Sequence, residues 1–322
     1  MGFFLQSFFG NDLPHSIWKS EVLYLPAPLS TAHKNFLKKQ GWLADYNPSG
    51  AGGKGGETSE EAQEHVVNRF LNSAARMQYV CADPSDEQPE VRDMVLDQLG
   101  DGQIYLLDLA AGNGAGVLAM LSLLCELRLH GKLPKLPLNV TIFAIDYSPD
   151  ALNYYAELLG EITPWLAESG ISATLNLQVC DLTVSGDFSE AFELFLDCSK
   201  RDRVRRFFCV ISAITGAKRE GVELMHNSLT IAAAGLSHKE RNSSWLWVEP
   251  HVGKSWPSKL ADSVRLTLRK VVHKLRSKGD SYEIETTAPL LDTPKTRNFE
   301  WSDPHNGRTA KSHVFVMAFK ST

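Results

Sequence analysis

The sequence predicts an α/β protein. The expected fold is a Rossmann-like, doubly wound, mostly parallel seven-stranded sheet with an antiparallel C-terminal edge, plus an N-terminal helical and irregular extension. Three observations predict it. From residue 103 onward, short apolar runs alternate with longer helical patterns, which places parallel strands between layers of helix. The first run leads into a glycine-rich turn, Asp108-Leu-Ala-Ala-Gly-Asn-Gly114. The second and third runs each lead to an aspartate, Asp146 and Asp181.

Residues 1–56 show weak periodicity and many turn residues, and Asn47–Gly56 has the composition of a flexible loop. A helix then starts at Thr58, with Glu61 three residues on as a capping box requires. Val66, Phe70, Ala74 and Met77 continue it as one apolar stripe, and a second helix is expected at Glu90–Leu99. The alternation follows. Strands are expected at Ile104–Leu109, Val140–Ile145, Ala173–Val179, Phe207–Ile211 and Trp245–Val248. The intervening helices are expected at Val117–Leu129, Pro149–Leu159, Phe188–Leu196, Val222–Ala234 and Ser258–Leu275. Tyr282–Thr287 and His313–Phe319 are strand-like with no helix between them, so they are expected to pair antiparallel at one edge. The organisation expected is an extension with a lid helix over 1–89 and a second domain over 90–322.

Composition narrows the class. The chain has 322 residues, 43% hydrophobic and 22% charged, as a globular domain has. No apolar run reaches the roughly 18 residues needed to cross a bilayer, so no membrane partner is expected. The apolar start, Met1–Gly10, lacks a basic flank and a cleavage site, and is read not as a signal peptide but as a segment that docks on the body of the protein, the alternative being a partner-binding or membrane-surface segment. Gln6 stands where a myristoylation signal needs Ser or Thr. The five cysteines (Cys81, Cys125, Cys180, Cys198 and Cys209) are scattered and never form C-x-x-C. That speaks against a disulfide framework or a zinc site and for a cytoplasmic location. A net charge of −5 gives no general attraction to nucleic acid.

The turn and the two acids form the candidate ligand site. Glycines let the backbone turn sharply and approach a ligand closely, and the following helix offers free N–H groups. Asp146, at a strand's C-terminal end, can accept both hydroxyls of a ribose. Asp181 can accept from an exocyclic adenine amine, with Cys180 and Leu182 flanking the ring. A strand-end aspartate can equally cap the next helix, but three acids in register after three successive strands point to a nucleoside.

Asp108–Gly114 resembles the first motif of class I S-adenosylmethionine-dependent methyltransferases, commonly Asp-x-Gly-x-Gly-x-Gly, with Ala110 in place of one glycine. The resemblance covers roughly residues 90–320 and implies S-adenosyl-L-methionine as cofactor. On it, Asp108, Ala110, Gly112, Asn113, Gly114, Asp146, Tyr147, Asp181, Leu182 and Ser212 would line the cofactor site. A preceding helix often forms a lid in this family, so Arg76 would meet the methionine carboxylate; otherwise Arg76 is a solvated residue of a packing helix. The rival dinucleotide fingerprint G-x-G-x-x-G/A fails, because Val117 stands at its third position. Gly131–Pro137 reads as an insertion that lengthens the spacing to Asp146. Gly253-Lys-Ser255 and Gly53-Lys54 do not complete a Walker motif.

The acceptor side is less defined. The Asn/Asp-Pro-Pro-Tyr motif of many amine methyltransferases is absent after the fourth strand, which reads Val210-Ile-Ser-Ala-Ile-Thr-Gly216. Glu249 and His251 follow the fifth strand. His251 is a candidate base, since a histidine titrates near neutrality; the alternative is that Glu249 caps a helix and His251 is a surface residue. Ala75-Arg-Met, Trp247-Val-Glu-Pro and Arg265-Leu-Thr-Leu also resemble the Rsm22-type ribosomal methyltransferase-like proteins. The cysteine set of that branch is missing. Arg265–Lys278 is the one strongly basic stretch, either a possible RNA contact or a solvated face. The expectation is methyl transfer from S-adenosylmethionine to a small molecule, a protein or RNA. The alternatives are an inactive binding or assembly module with residues 1–89 as its docking arm, and an rRNA methyltransferase; residues 1–56 are the candidate contact for a protein partner.

Overall fold

The structure, a computed structural model, describes residues 13–48, 58–212, 214, 224–236, 241–250, 288–289 and 295–320. Among these the chain opens with two short strands, β1 (Trp18–Lys19) and β2 (Val22–Tyr24), and helix α1 (Ala27–Gln40). Helices α2 (Ser59–Asn68), α3 (Phe70–Ala82) and α4 (Pro89–Leu99) follow. The alternating part runs β3 (Gly102–Leu109), α5 (Ala115–Leu129), β4 (Leu138–Asp146), α6 (Pro149–Glu168), β5 (Ile171–Val179), α7 (Ser185–Arg201), β6 (Arg206–Ser212), α8 (His226–Leu236) and β7 (Asn242–Pro250). The last strands are β8 (Ala288–Pro289), β9 (Lys295–Ser302) and β10 (Thr309–Lys320).

The strands form one sheet in the order β1-β2-β9-β10-β7-β6-β3-β4-β5, with β8 beside β10. The five strands β5, β4, β3, β6 and β7 are parallel. Strand order reverses between β3 and β6, the crevice where open α/β sheets bind their ligands. The C-terminal edge is antiparallel: β10 pairs with β7 on one side and β9 on the other. The mostly parallel sheet and antiparallel edge are those the sequence predicts.

Alternation along the strands explains why both faces are covered. Ile104, Leu106, Val140, Ile142, Phe208, Val210, Leu246 and Val248 point into one core, shared with α1, α3, α5 and α6. Tyr105, Leu107, Phe143, Ile145, Phe207, Cys209, Trp245 and Trp247 point into the other, under α7 and α8. At roughly 1.5–3 kcal/mol per fully buried large apolar side chain, these two layers dominate the stabilisation of the scaffold.

Four departures from the sequence reading have physical causes. The single stripe expected from Thr58 to Met77 is two helices, broken at Arg69, whose φ of −115° and ψ of −25° interrupt the spiral. Residues 18–40 hold β1, β2 and α1, where only turn-rich sequence was evident. Helix α6 continues past Pro164 to Glu168, well beyond Leu159. β10 pairs antiparallel with β9, a strand that the sequence did not suggest, and Tyr282–Thr287, expected as its partner, lies outside the described residues. Ser258–Leu275 and Met1–Gly10 also lie outside them. Among the described residues no helix is long and apolar enough to cross a membrane.

Candidate functional site

β3 carries the chain through Asp108 into the turn, and three residues there adopt left-handed backbone: Ala110 (φ +52°), Gly112 (+52°) and Gly114 (+75°). The turn is tied to the end of β4. Ala111 N–H donates to Ile145 O at 3.0 Å, and Gly112 N–H donates to Asp146 Oδ2 at 2.8 Å. Gly114 N–H closes the turn on Ala111 O at 2.9 Å, and α5 begins at the next residue. The two glycines serve different ends. A Cβ on Gly112 would meet nothing within 4 Å, whereas one on Gly114 would lie 2.3 Å from the Tyr155 ring. Gly114 therefore lets α6 pack against the turn, and Gly112 leaves open space in front of it.

That space is a cleft at the C-terminal edge of β3, β4, β5 and β6. The turn lines it with Ala110, Gly112, Asn113 and Ala115, and β4 with Asp146 and Tyr147. Cys180 and Leu182 follow β5, Ser212 ends β6 and Ile214 lies just beyond it. The sequence-predicted residues Ala110, Gly112, Asn113, Asp146, Tyr147, Leu182 and Ser212 are thus brought to one cleft.

Asp146 is almost fully buried. Its Oδ1 accepts from Ser148 N–H at 2.9 Å while Oδ2 holds Gly112. Burial raises its carboxyl above the usual range, opposed by the backbone N–H groups of Ser148, Gly112 and Tyr147. A carboxylate has about four acceptor positions, so the three backbone bonds orient it without exhausting it. Asp108 lies beneath the turn, 1% exposed. The Tyr155 hydroxyl faces it, and neither group has a partner in good hydrogen-bond geometry. Burial pushes the Asp108 carboxyl up to about 8, with Tyr155 opposing and Asp146 adding to the shift. Asp181 is exposed beside the cleft, its Oδ1 accepting from Thr183 N–H at 2.8 Å.

The remaining sequence-predicted residues lie elsewhere. Arg76 does not line the cleft; its Nε donates to His313 O of β10 at 3.2 Å. Burial lowers its guanidinium to about 10, opposed by the charge of Glu249 and aided by that of Arg69. Glu249 is fully buried behind the cleft, and its Oε1 accepts from Ile214 N–H at 2.9 Å and the Trp247 indole at 2.7 Å. It thereby anchors a lining residue. His251 and the basic stretch 265–278 lie outside the described residues.

Sequence reasoning missed Ala62, His65, Ser73 and Met225, which also line the cleft. His65 Nδ1 accepts from Asn113 Nδ2 at 3.0 Å, joining α2 to the turn. Ala62 and His65 share one face of a short helix, but nothing in their spacing shows which way that face points.

No protein-family model matches the chain, and no curated protein does. Solved structures to which the chain is similar include the precorrin-6y C5,15-methyltransferase of Geobacter metallireducens, at 14% identity and TM-score 0.30, covering 72% of this chain and 88% of that one. A class I S-adenosylmethionine-dependent methyltransferase of Listeria monocytogenes is similar at 10% identity and TM-score 0.31, covering 91% and 80%. An S-adenosyl-L-methionine-dependent methyltransferase structure from Methanococcus maripaludis is similar at 9% identity and TM-score 0.31, covering 84% and 96%. The fold assignment rests on the strand order itself, and the functional reading on the cleft.

Proposed function

We propose that the protein is an S-adenosylmethionine-dependent methyltransferase. One observation carries the reading: three successive parallel strands, β3, β4 and β5, end on one cleft, and bring to it a glycine turn, a buried carboxylate and a flanking pair. Gly112, with open space at its missing Cβ, would admit the cofactor against the backbone. The N-terminus of α5, whose Ala115 lines the cleft, favours an anionic group. Asp146, oriented by backbone donors, would accept from ribose hydroxyls, and Cys180 and Leu182 would flank an adenine ring. The cofactor supplies a methyl group already activated on a sulfonium sulfur. The protein's share is to align the acceptor in line with it and exclude water. Ser212, at the end of β6, and Ile214 just beyond it would face that acceptor, for which a small molecule or protein is proposed ahead of RNA.

Calorimetric titration tests the reading. S-adenosylhomocysteine is expected to bind the wild type, at least tenfold more weakly to Asp146→Ala, and NAD to neither. Absence of S-adenosylhomocysteine binding by the wild type would reject the proposal. The second reading, a cofactor-binding assembly module, is favoured by Ala110 in the first motif. Binding without methyl transfer to metabolite, protein or RNA extracts would select it.

A further inference from the structure

Two helices reach the cleft from outside the alternating part, and one of them is held by a side-chain bond to the turn itself. α2 contributes Ala62 and His65 to the lining, three residues apart and on one helical face. Asn113 sits between the two left-handed glycines of the turn and is 2% exposed. Its amide donates to His65 Nδ1 at 3.0 Å. With Nδ1 accepting, the ring proton of the neutral histidine sits on Nε2. Its other anchors are the buried Ala62, Val66 and Val67, the bond that His33 Nε2 donates to Val66 O at 2.8 Å, and the one that Asn47 N–H donates to Asn68 Oδ1 at 2.7 Å, and a break at Arg69 separates it from α3.

We infer that His65 is a positioning residue that latches α2 onto the glycine turn through Asn113, and so sets how tightly the cleft holds its nucleoside ligand. The identity of that ligand rests on the S-adenosylmethionine reading; the latch does not. The bond requires an unprotonated Nδ1. A protonated ring would turn an N–H toward the donor face of the Asn113 amide and release the helix. The charged groups facing the ring are Arg69, at the end of its own helix, and Arg76 on α3. Beyond Arg76 stands Glu249, and Asp146 lines the same cleft. Burial, then the two arginines, hold the imidazole down to about 4, so the latch is closed throughout the neutral range.

Two substitutions and two readouts test this. His65→Ala removes the acceptor; His65→Gln supplies an amide oxygen in its place that does not titrate. S-adenosylhomocysteine affinity is measured calorimetrically from pH 4.5 to 8, and backbone amide exchange of residues 59–68 is followed in the ligand-free protein. The expected result is at least tenfold weaker binding and faster exchange over 59–68 in His65→Ala. In His65→Gln both are expected near wild-type values. Exchange over 59–68 unchanged in His65→Ala overturns the latch. Faster exchange with affinity within twofold of wild type overturns its role in ligand binding. If the wild type binds no S-adenosylhomocysteine, the cofactor reading fails, while the exchange measurement still decides the latch.

Discussion

The Asp146 carboxylate accepts from the backbone N–H of Gly112 at 2.8 Å, so the strand-end acid that would hold a ribose also holds the turn that would admit the rest of the ligand. The two halves of the candidate site are therefore mechanically one. Neighbouring groups inherit unusual environments from this, and several consequences can be measured.

Asp108 makes the folded protein sensitive to alkali. Its folded carboxyl is raised from 3.8 to about 8 by burial. The stability it contributes is fully present below 3.8 and is lost as pH rises through about 8. One proton held only by the folded state corresponds to about 1.4 kcal/mol per pH unit. Urea unfolding between pH 5 and 8 is expected to show the wild type losing stability relative to Asp108→Asn at up to that slope. A constant difference across the range would reject the assignment.

Ala110 occupies left-handed backbone at φ +52°, a conformation that costs an L-residue roughly 1–2 kcal/mol. Glycine removes that cost but adds about 0.5–1 kcal/mol of chain entropy. Ala110→Gly is expected to stabilise by up to about 1 kcal/mol, and Ala110→Val to destabilise, as thermal or urea unfolding would read.

Gly114 is constrained twice, by its φ of +75° and by the Tyr155 ring, which lies 2.3 Å from where a Cβ would stand. Gly114→Ala is expected to cost about 2–4 kcal/mol, combining strained backbone with overpacking. Gly114→Ala with Tyr155→Leu should recover the packing part only. Full recovery in the double variant would show that backbone conformation contributes nothing.

His33 couples three parts of the chain. Its Nε2 donates to Val66 O at 2.8 Å, and its Nδ1 accepts from His305 Nε2 at 2.9 Å in the turn between β9 and β10. Burial, together with the nearby His305, lowers it from 6.5 to about 3. The sign is opposite to that of Asp108: its contribution is complete above 6.5 and is lost as pH falls toward about 3. The wild type is expected to lose up to about 1.4 kcal/mol per pH unit more than His33→Gln on acidification from pH 6.5 to 4. Equal slopes in urea titrations would contradict this.

Glu249 separates support from chemistry. Glu249→Ala leaves the Ile214 N–H and the Trp247 indole without their acceptor, at about 1–3 kcal/mol each. Glu249→Gln keeps an oxygen there and is expected to restore most of that stability. Recovery of stability without recovery of methyl transfer would mark the charge itself as functional.

Much of the scaffold was legible in the sequence because buried parallel strands leave a strong signal. Ile104–Leu109 and Val140–Ile145 are mostly apolar runs, interrupted only by Asp108 and Thr141, and each leads to a cleft-lining segment. The glycine turn was legible because left-handed backbone selects residue types. α1 was missed although Leu29, Ala32, His33, Phe36 and Leu37 all bury one face; Pro26 and Pro28 read as turn signals, whereas Pro28 sits in the tolerated first turn. β1 and β2 are too short to alternate. β9, Lys-Thr-Arg-Asn-Phe-Glu-Trp-Ser, is too polar to read as a strand, since over residues 296–302 the buried side chains are Phe299 and Trp301. His65 and Glu249 took their roles from partners remote in sequence, Asn113 and Ile214, which no local pattern exposes.

The pairing of β2 with β9 sets Val22 beside Glu300, almost the whole length of the chain apart. A ribosome releases the first of these strands long before the second exists. The outer edge of β2 therefore has no strand partner until the last hairpin is made. Contacts of such sequence separation form slowly, so closure of this edge is expected to be a late event in the birth of the molecule. Truncation after β7 should yield a chain that is prone to aggregate because it still displays both the β2 edge and the β7 edge.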